Sequence, residues 1–464
     1  MAEINNREII LEILMEILEK KQFSHVVINN TIENFSFLDK RDRAFIKRVS
    51  EGSVENLISI DYVINSYSKI KVKKMKPEIR NILRLSVYQI IYMDSVPDHS
   101  ACDEAVKLTI KTKKYKSLKG FVNGLLRNIC REKENIIYPD PAVEYSIPEW
   151  IMNQWIEQYG DEIACLMAKS VVKNAPIYIR PGKELSKEKL KEKLTNANNT
   201  DALQDESTKA ILLDAPYIPD ALEVSNFNQV SDLPGFESGD FYIQDISSML
   251  VGLIAAPSEG MTCIDMCAAP GGKSLHLAKL MNNTGRIISF DVSEKKVELL
   301  EENIERSGFS NIEAKVGDGC LLNKELLDLA DVVICDLPCS GLGVIGRKAD
   351  IRYNISPDSQ DELVKLQRKI LTNAVRYIKS GGILIYSTCT TNREENINNF
   401  NWILENFDFK PVDLEAALPP KTIEEVLEDT KKVNLEDTLS KGYIQLLQGV
   451  HKCDGFFISK LQKK

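Results

Sequence analysis

The fold is decided at Asp265-Met266-Cys267-Ala268-Ala269-Pro270-Gly271-Gly272-Lys273. An apolar run at residues 262–266 leads into this stretch, and residues 274–281 continue it with the apolar spacing of a helix. Small residues let a backbone approach a ligand closely, and a helix start offers unpaired N–H groups. Because turns of this type that bind nothing are at least as common, the stretch alone predicts only a strand, a turn and a helix.

The same alternation continues towards the C-terminus. Helical patterns at residues 294–307 and 358–378 separate short apolar runs, and this order predicts a parallel, doubly wound sheet. Ligands of such sheets bind beyond the carboxyl ends of the strands. The candidate strands are residues 262–266, 286–291, 311–316, 332–336, 382–387 and 455–460.

Two carboxylates follow successive candidate strands behind the glycine turn. Asp291 lies where an acid grips ribose hydroxyls, and Asp318 is placed to contact an adenine amino group. Two acids suit a neutral or cationic nucleoside and repel a pyrophosphate, and the chain has no P-loop pattern. Either Asp alone could equally cap a helix, but the pair together favours nucleoside binding.

Two cysteines leave the next strands on the same side. Cys339 follows Asp336 after the fourth strand, and Cys389 follows the fifth. A lone cysteine is more often a small buried apolar residue, whereas two at neighbouring strand ends beside Asp336 favour chemistry. A thiolate that adds to C6 of cytosine makes C5 electron-rich enough to accept a methyl group. We expect Lys273 to promote this by lowering the pKa of the attacking thiol.

The N-terminal third has a different pattern. Residues 1 to about 135 predict helices throughout, residues 136–148 a linker, and residues 150–167 one amphipathic helix. Beyond them, residues 177–179 and 210–213 predict short strands, residues 186–194 a helix, and residues 196–207 a loop.

Charge and composition restrict the function classes. The net charge of −9 argues against a polyanion partner, but residues 107–119 hold six lysines and no acid, and residues 69–84 hold five lysines and two arginines. Such runs form either a phosphate-binding face or merely a solvated helix face. We expect a reduced, cytoplasmic protein without a signal peptide or a membrane span. Zinc held by Cys263, Cys267, Cys335 and Cys339 is a minor alternative to no metal.

The motifs together resemble a known family. DMCAAPGGK, SFDVS, VGDG, CDLPCSGLG and STCT occur in this order, with Gln244–Ser248, Glu394–Asn396 and Asp454–Phe457 around them. This combination resembles the RNA cytosine-C5 methyltransferases of the NOL1/NOP2/Sun type. Segments of residues 42–127, including Asp42–Ile46, Tyr88-Gln89 and Phe121–Asn123, resemble a NusB-like RNA-binding domain. The two together have the layout of the bacterial 16S rRNA methyltransferases of the RsmB, Sun or Fmu type.

The resemblance implies a multidomain fold. We expect an all-α NusB-like domain at residues 1–140, a linker and small α+β subdomain that also binds RNA at residues 141–235, and an α/β Rossmann-like class I methyltransferase domain at residues 236–464. It implies S-adenosylmethionine as cofactor and cytosine 967 of 16S rRNA as substrate. We expect a monomer that binds neither DNA nor a membrane.

The resemblance also implies a role for each site residue. Cys389 would be the nucleophile, Cys339 would assist product release, and Asp336 would lie between cofactor and base. Exchanged cysteine roles remain an alternative. Asp291 would bind the ribose and Asp318 the adenine. The cofactor loop would comprise Cys267, Ala268, Ala269, Pro270, Gly271, Gly272 and Lys273.

Two segments depart from the family pattern, namely Gly346–Asp350 and Arg180–Gly182. They put RNA contacts in question and leave the chemistry unaffected. Rival functions are methylation of tRNA or 23S rRNA and a non-catalytic RNA-binding factor.

Overall fold

The computed structural model describes residues 5–172, 175–200, 210–227 and 230–464. Its chain contacts form two compact units. The helical unit comprises Met1–Lys173 together with Ile345–Asn354, and the sheet unit comprises Asn174–Val344 together with Ile355–Lys464. The predicted three-domain division at residues 140 and 235 remains a prediction.

The helical unit is built around the helix Pro77–Tyr92. Eleven of its residues are buried, seven of them apolar. The other four are Asn81, Arg84, Ser86 and Gln89, and each of them forms hydrogen bonds within the unit, as buried polar groups require. The surrounding helices contribute one amphipathic face each to a common core. They are Asn6–Leu14, Ser24–Asn34, Lys40–Glu55, Leu57–Tyr67, Asp98–Lys111, Lys119–Glu132 and Ile351–Asn354, with shorter turns at Met15–Glu19, Val72–Lys74, Lys113–Leu118 and Lys133–Asn135. The unit also contains the helices Pro141–Glu144, Glu149–Tyr159 and Asp161–Ser170.

Two predictions for this unit were wrong. The predicted helix at residues 150–167 is two helices, because Gly160 adopts a φ of 85° between them. The predicted linker at residues 136–148 is packed, since Asp140 caps the helix Pro141–Glu144 and Ile147 is 1% exposed. Three prolines indicated irregular backbone correctly but said nothing about burial.

A small antiparallel sheet opens the sheet unit. Its strands are β1 (Ile177–Pro181), β2 (Ile211–Asp214), β3 (Leu222–Ser225) and β4 (Phe241–Ile243), in the order β2-β3-β1-β4. The helix Lys187–Thr200 accompanies it. The predicted loop at residues 196–207 was therefore wrong as far as Thr200, and its remainder lies outside the described residues. The short strands β3 and β4 were not predicted.

The large sheet has eight strands. They are β5 (Thr262–Asp265), β6 (Arg286–Asp291), β7 (Ile312–Val316), β8 (Ala330–Asp336), β9 (Ile378–Thr388), β10 (Phe409–Pro411), β11 (Tyr443–Leu446) and β12 (Phe456–Lys463). The order is β10-β12-β9-β8-β5-β6-β7, and β11 pairs with β12. The predicted all-parallel sheet holds from β9 to β7, whereas β10, β11 and β12 pair antiparallel.

Helices cover both faces of this sheet. Neighbouring residues of one strand supply opposite cores, so that Cys263 packs into one and Ile264 into the other. Among the described helices, none is long and apolar enough to cross a membrane. The helices that accompany the large sheet are Ile246–Ala255, Gly272–Leu280, Glu294–Ser307, Pro357–Tyr377, Ile397–Asn406 and Pro420–Lys432. The sheet unit also has short turns at Val230–Asp232, Lys324–Leu326, Glu415–Ala417 and Leu439–Lys441.

Candidate active site

The glycine turn joins β5 to the helix Gly272–Leu280, as predicted. The Ala268 N–H donates to the Phe290 carbonyl at 2.7 Å, which ties the turn to β6. Gly271 has a φ of 110°, and a Cβ there would lie 2.7 Å from Leu300, so this position requires glycine. The Pro270 carbonyl accepts from Asn303 at 2.9 Å. Cys267 and Ala269 complete the turn, with a cis peptide between Ala269 and Pro270.

Three acids surround the start of the turn. Burial is the largest cause that raises the pKa of the Cys267 thiol, and the charges of Asp265, Asp336 and Asp291 raise it further. Asp291 is 5% exposed at the end of β6 and accepts from the Ser293 N–H at 3.1 Å. The structure thus brings Asp291 and Asp336 to the glycine turn.

Asp318 lines a cavity next to the turn. This cavity of about 300 Å³ has apolar walls from Met266 and Phe290. The Cys320 N–H donates to Asp318 at 2.8 Å, and a Cβ on Gly317 would lie 2.7 Å from the Phe290 ring. A flat aromatic group with a polar edge fits such a cavity.

Lys273 and Asp336 form an ion pair. Lys273 Nζ lies 2.7 Å from Asp336 Oδ2, and Ser387 Oγ donates to the other carboxylate oxygen at 2.9 Å. Burial alone would lower the pKa of Lys273, but Asp336 outweighs it and raises the pKa above its ordinary value. Lys273 therefore stays cationic and also reaches Ser248 Oγ at 3.3 Å.

The two cysteines meet at the ends of neighbouring parallel strands. Asp336 of β8 pairs with Ser387 of β9, and a few residues further on the Sγ atoms of Cys339 and Cys389 are 3.3 Å apart. The hydrogen bond with Cys389 and then burial raise the pKa of the Cys339 thiol well above its usual range. Cys339 thus keeps its proton beside the Cys389 sulfur.

A buried carboxylate that no prediction singled out holds the cysteine loops together. Glu395 is 0% exposed and accepts from Ser340 N at 2.9 Å, Ser340 Oγ at 2.5 Å, Gln367 Nε2 at 3.0 Å and Asn392 Nδ2 at 3.1 Å. Burial raises its pKa although these donors oppose the shift. In the sequence, Glu395 lies within the segment Glu394–Asn396 that resembles the family. The resemblance assigned no role to this residue.

Arg180, in the departing segment 180–182, was likewise missed as a site residue. It is 3% exposed and donates to Gln244 Oε1 at 2.7 Å and to the Gly272 carbonyl at 3.1 Å. Burial lowers its pKa to about 10. Arg180 therefore supports the glycine turn from the small sheet.

The other departing segment, residues 346–350, belongs to the helical unit. Asp350 accepts from Ser24 Oγ at 2.6 Å, and Ala349 joins the helical core.

Two cations of the basic run at residues 69–84 are paired within the helical unit. Arg80 forms an ion pair with Glu19, and Arg84 forms an ion pair with Asp61.

The described residues offer no metal site. No group of three or more His, Cys, Asp or Glu side chains within them could hold a metal ion. Cys263 and Cys335 pack into opposite cores of the sheet. The alternative of zinc held by Cys263, Cys267, Cys335 and Cys339 is therefore wrong.

Comparisons with known proteins identify the family of this chain. Residues 252–462 match the family model "16S rRNA methyltransferase RsmB/F", and residues 4–131 match the NusB family. The chain is 33% identical to a probable ribosomal RNA small subunit methyltransferase B of Bacillus subtilis over 100% of both chains.

Solved structures share the fold. The structure titled PH0851 has a TM-score of 0.76 at 24% identity over 100% of both chains. NSun6 from Pyrococcus horikoshii, solved with SFG, has a TM-score of 0.55 at 22% identity, covering 68% of this chain and 98% of its own. The chain therefore belongs to the ribosomal RNA small subunit methyltransferase B family, whose members are S-adenosylmethionine-dependent rRNA methyltransferases.

Proposed function

We propose that this protein methylates C5 of a cytosine in 16S rRNA through a covalent bond between Cys389 and C6 of the base. The observation that carries the proposal is the pair of sulfurs, 3.3 Å apart, at the ends of β8 and β9 beside the Lys273–Asp336 ion pair. The family resemblance makes cytosine 967 the expected target. A cytoplasmic location and a monomeric state belong to the same proposal.

The glycine turn and its acids fit S-adenosylmethionine. The apolar cavity with Asp318 at its edge suits the adenine, and Asp291 at the end of β6 suits the ribose. Cys267–Lys273 would lie along the methionine part, where the carboxylates of Asp291 and Asp336 favour a cationic ligand. When bound, the cofactor supplies an electrophilic methyl group.

Each step of methyl transfer to the base involves particular side chains of the site. The target base must leave its stack before a sulfur can reach C6. Addition of the Cys389 thiolate to C6 then pushes electrons towards C5. Asp336 contacts the N3 and N4 edge of the ring, and Lys273 keeps Asp336 in place. After methylation a base takes the C5 proton, the electrons of the C5–H bond form the C5=C6 double bond, and the C6–S bond breaks so that Cys389 leaves as a thiolate. Cys339 assists this release.

The raised pKa of the Cys339 thiol favours Cys389 as nucleophile. A thiol attacks as its thiolate, and Cys339 holds its proton because Cys389, burial and the Glu395 charge all raise its pKa. With exchanged roles, the attacking sulfur would be the one whose pKa its surroundings raise.

Two substitutions test the proposal. Cys389→Ala should abolish methyl transfer to small-subunit RNA while S-adenosylmethionine binding persists. Cys339→Ala should leave a stalled covalent protein–RNA adduct, visible by denaturing electrophoresis. Cys165→Ala, which removes a half-buried thiol of the helical unit, serves as control. Methylation by Cys389→Ala, or an adduct only in that variant, would refute the assignment.

The rival functions have distinct consequences. A non-catalytic RNA-binding factor would not need the Lys273–Asp336 pair or the paired thiols, and it would not be stabilised by S-adenosylmethionine in a thermal shift assay. Methylation of tRNA or 23S rRNA uses the same chemistry. Bisulfite mapping of RNA from cells with and without the gene separates these substrates.

A further inference from the structure

The distance between the two site sulfurs permits a second reaction. A disulfide bond is about 2.05 Å long, so sulfurs 3.3 Å apart need to approach by only about 1.3 Å. Both cysteines are half-buried, which leaves them open to a small molecule. We propose that Cys339 and Cys389 are a reversible modification site, at which a hydroperoxide closes an intramolecular disulfide.

The backbone already holds the two thiols side by side. The Leu337 N–H donates to the Ser387 carbonyl at 3.1 Å, and the Gly343 N–H donates to the Cys389 carbonyl at 3.1 Å. Between these bonds, Ser340 Oγ and Thr390 Oγ1 lie 2.7 Å apart. These contacts hold the two cysteine-bearing loops together on both sides of the sulfurs, so closure leaves the fold of the two loops in place.

The reaction is balanced in two steps. The Cys389 thiolate attacks the hydroperoxide, the O–O bond breaks, and a sulfenic acid and an alcohol form, with the proton taken from solvent. The Cys339 sulfur then attacks the Cys389 sulfur, the S–O bond breaks, and the departing hydroxide leaves as water with the Cys339 proton. Two thiols and one hydroperoxide thus give one disulfide, one alcohol and one water, and an external dithiol reverses the product.

The hydrogen bond between Cys339 and Cys389 sets the order in which the two thiols react. Cys339 retains its proton until Cys389 has reacted, so Cys389 meets the oxidant first and Cys339 resolves it. Glu395 holds Ser340, the residue after Cys339, through two hydrogen bonds. Cys339 therefore stays within reach of the Cys389 sulfur during the first step.

A second thiol pair has to be removed before the test. Cys102 and Cys130 of the helical unit have sulfurs 3.6 Å apart. A full-length Cys130→Ala protein removes this pair without touching the site residues, so it is the parent for all measurements. In it, any linked peptide from residues 339 and 389 reports on the proposed site alone.

Peptide mass mapping decides the proposal. Reduced protein treated with an equimolar amount of hydrogen peroxide should yield a linked peptide with both cysteines, two hydrogens lighter than the separate peptides. Dithiothreitol should separate them again. Cys339→Ser in the same background should give no linked peptide and should trap Cys389 as a sulfenic acid that dimedone labels. Peroxide-treated parent without the linked peptide, or Cys389 linked to another cysteine, would overturn the proposal.

The effect on activity rests on the proposed function and is measured separately. The disulfide consumes the nucleophile, so methyl transfer should fall in proportion to the linked fraction, while the dissociation constant for S-adenosylmethionine changes less than twofold. Linked protein that still methylates RNA would contradict the catalytic role of Cys389 and leave the modification site intact. Absence of the linked peptide would overturn the modification site whatever the activity.

Discussion

Lys273 and Asp336 form an ion pair within the site. Their atoms are 2.7 Å apart, with side-chain exposures of 13% and 25%. Removing one partner of such a pair leaves a poorly solvated charge, so Asp336→Asn should cost about 3 kcal/mol of stability. The double variant with Lys273→Met should lose less than the two single losses combined, by about 1–3 kcal/mol.

Denaturant titration of the four proteins measures this coupling, and methyl transfer gives a second readout. Neither the single variants nor the double variant should recover activity, because Asp336 is also needed at the base. Additive stability losses would show that the two charges act independently and that solvent screens them.

His451 makes stability depend on pH. It is 4% exposed, accepts from the Leu447 N–H at 3.0 Å, and burial lowers its pKa to about 4. Below pH 6.5 the unfolded chain binds a proton that the folded protein refuses, so this residue costs stability as pH falls from 6.5 towards 4. The loss between pH 7 and pH 5 is about 2 kcal/mol. Nuclear magnetic resonance of labelled histidine, assigned with His451→Gln, should give the pKa near 4. A value near 6.5 would refute the prediction.

Single residues were predictable where chemistry follows a strand end. Asp336, Cys339 and Cys389 stand at or just after the ends of apolar runs, and Lys273 ends the turn that follows another. The order of strands therefore placed all four at one edge of the sheet. The roles of Glu395 and Arg180 could not be predicted from the sequence, because the residues that they contact are distant in the chain. The Arg180 guanidinium reaches Gly272, a contact across 92 residues that no local pattern encodes.

At the scale of elements, Ile345–Asn354 is the feature the sequence did not reveal. Arg352 is 1% exposed and donates to the carbonyls of Ser146 at 3.0 Å, Tyr145 at 3.3 Å and Glu55 at 3.4 Å. Its segment follows the Cys339 loop in the chain yet packs in the helical unit. An alternation of strands and helices predicts sheet order but not which unit a long connection joins.

Arg352→Met should therefore destabilise the helical unit. The substitution leaves several buried carbonyls without a donor, and charge-assisted hydrogen bonds of this type contribute about 1.5–3 kcal/mol each. We expect a loss of about 3 kcal/mol in denaturant titration and faster proteolytic cleavage between residues 345 and 354. The matched control is Lys348→Met, since Lys348 is exposed in the same segment. Equal stability of the two variants would contradict the anchoring role.

At the scale of the molecule, an acidic chain must bind a polyanion. Its formal charge is −9, and the surface charge is unevenly distributed. Lys113, Lys114, Lys116 and Lys119 are all exposed, and within the described part of the chain none of them has a carboxylate at ion-pair distance. Lys107 and Lys111 of the same run are paired with Glu104 and Glu8. Because solution ions screen distant charges within about 10 Å, RNA would sense the four lysines and not the net charge.

Replacing these four lysines by glutamine tests this directly. Each lost phosphate contact lowers the slope of log affinity against log salt by about 0.7–0.9, so the slope should fall by about 3 if all four touch RNA. Binding of S-adenosylmethionine should not change. The control replaces the exposed Lys189, Lys295, Lys410 and Lys431 of the sheet unit, which alters the net charge equally. A slope that falls as much in the control would mean that net charge, rather than the lysine run, governs RNA binding.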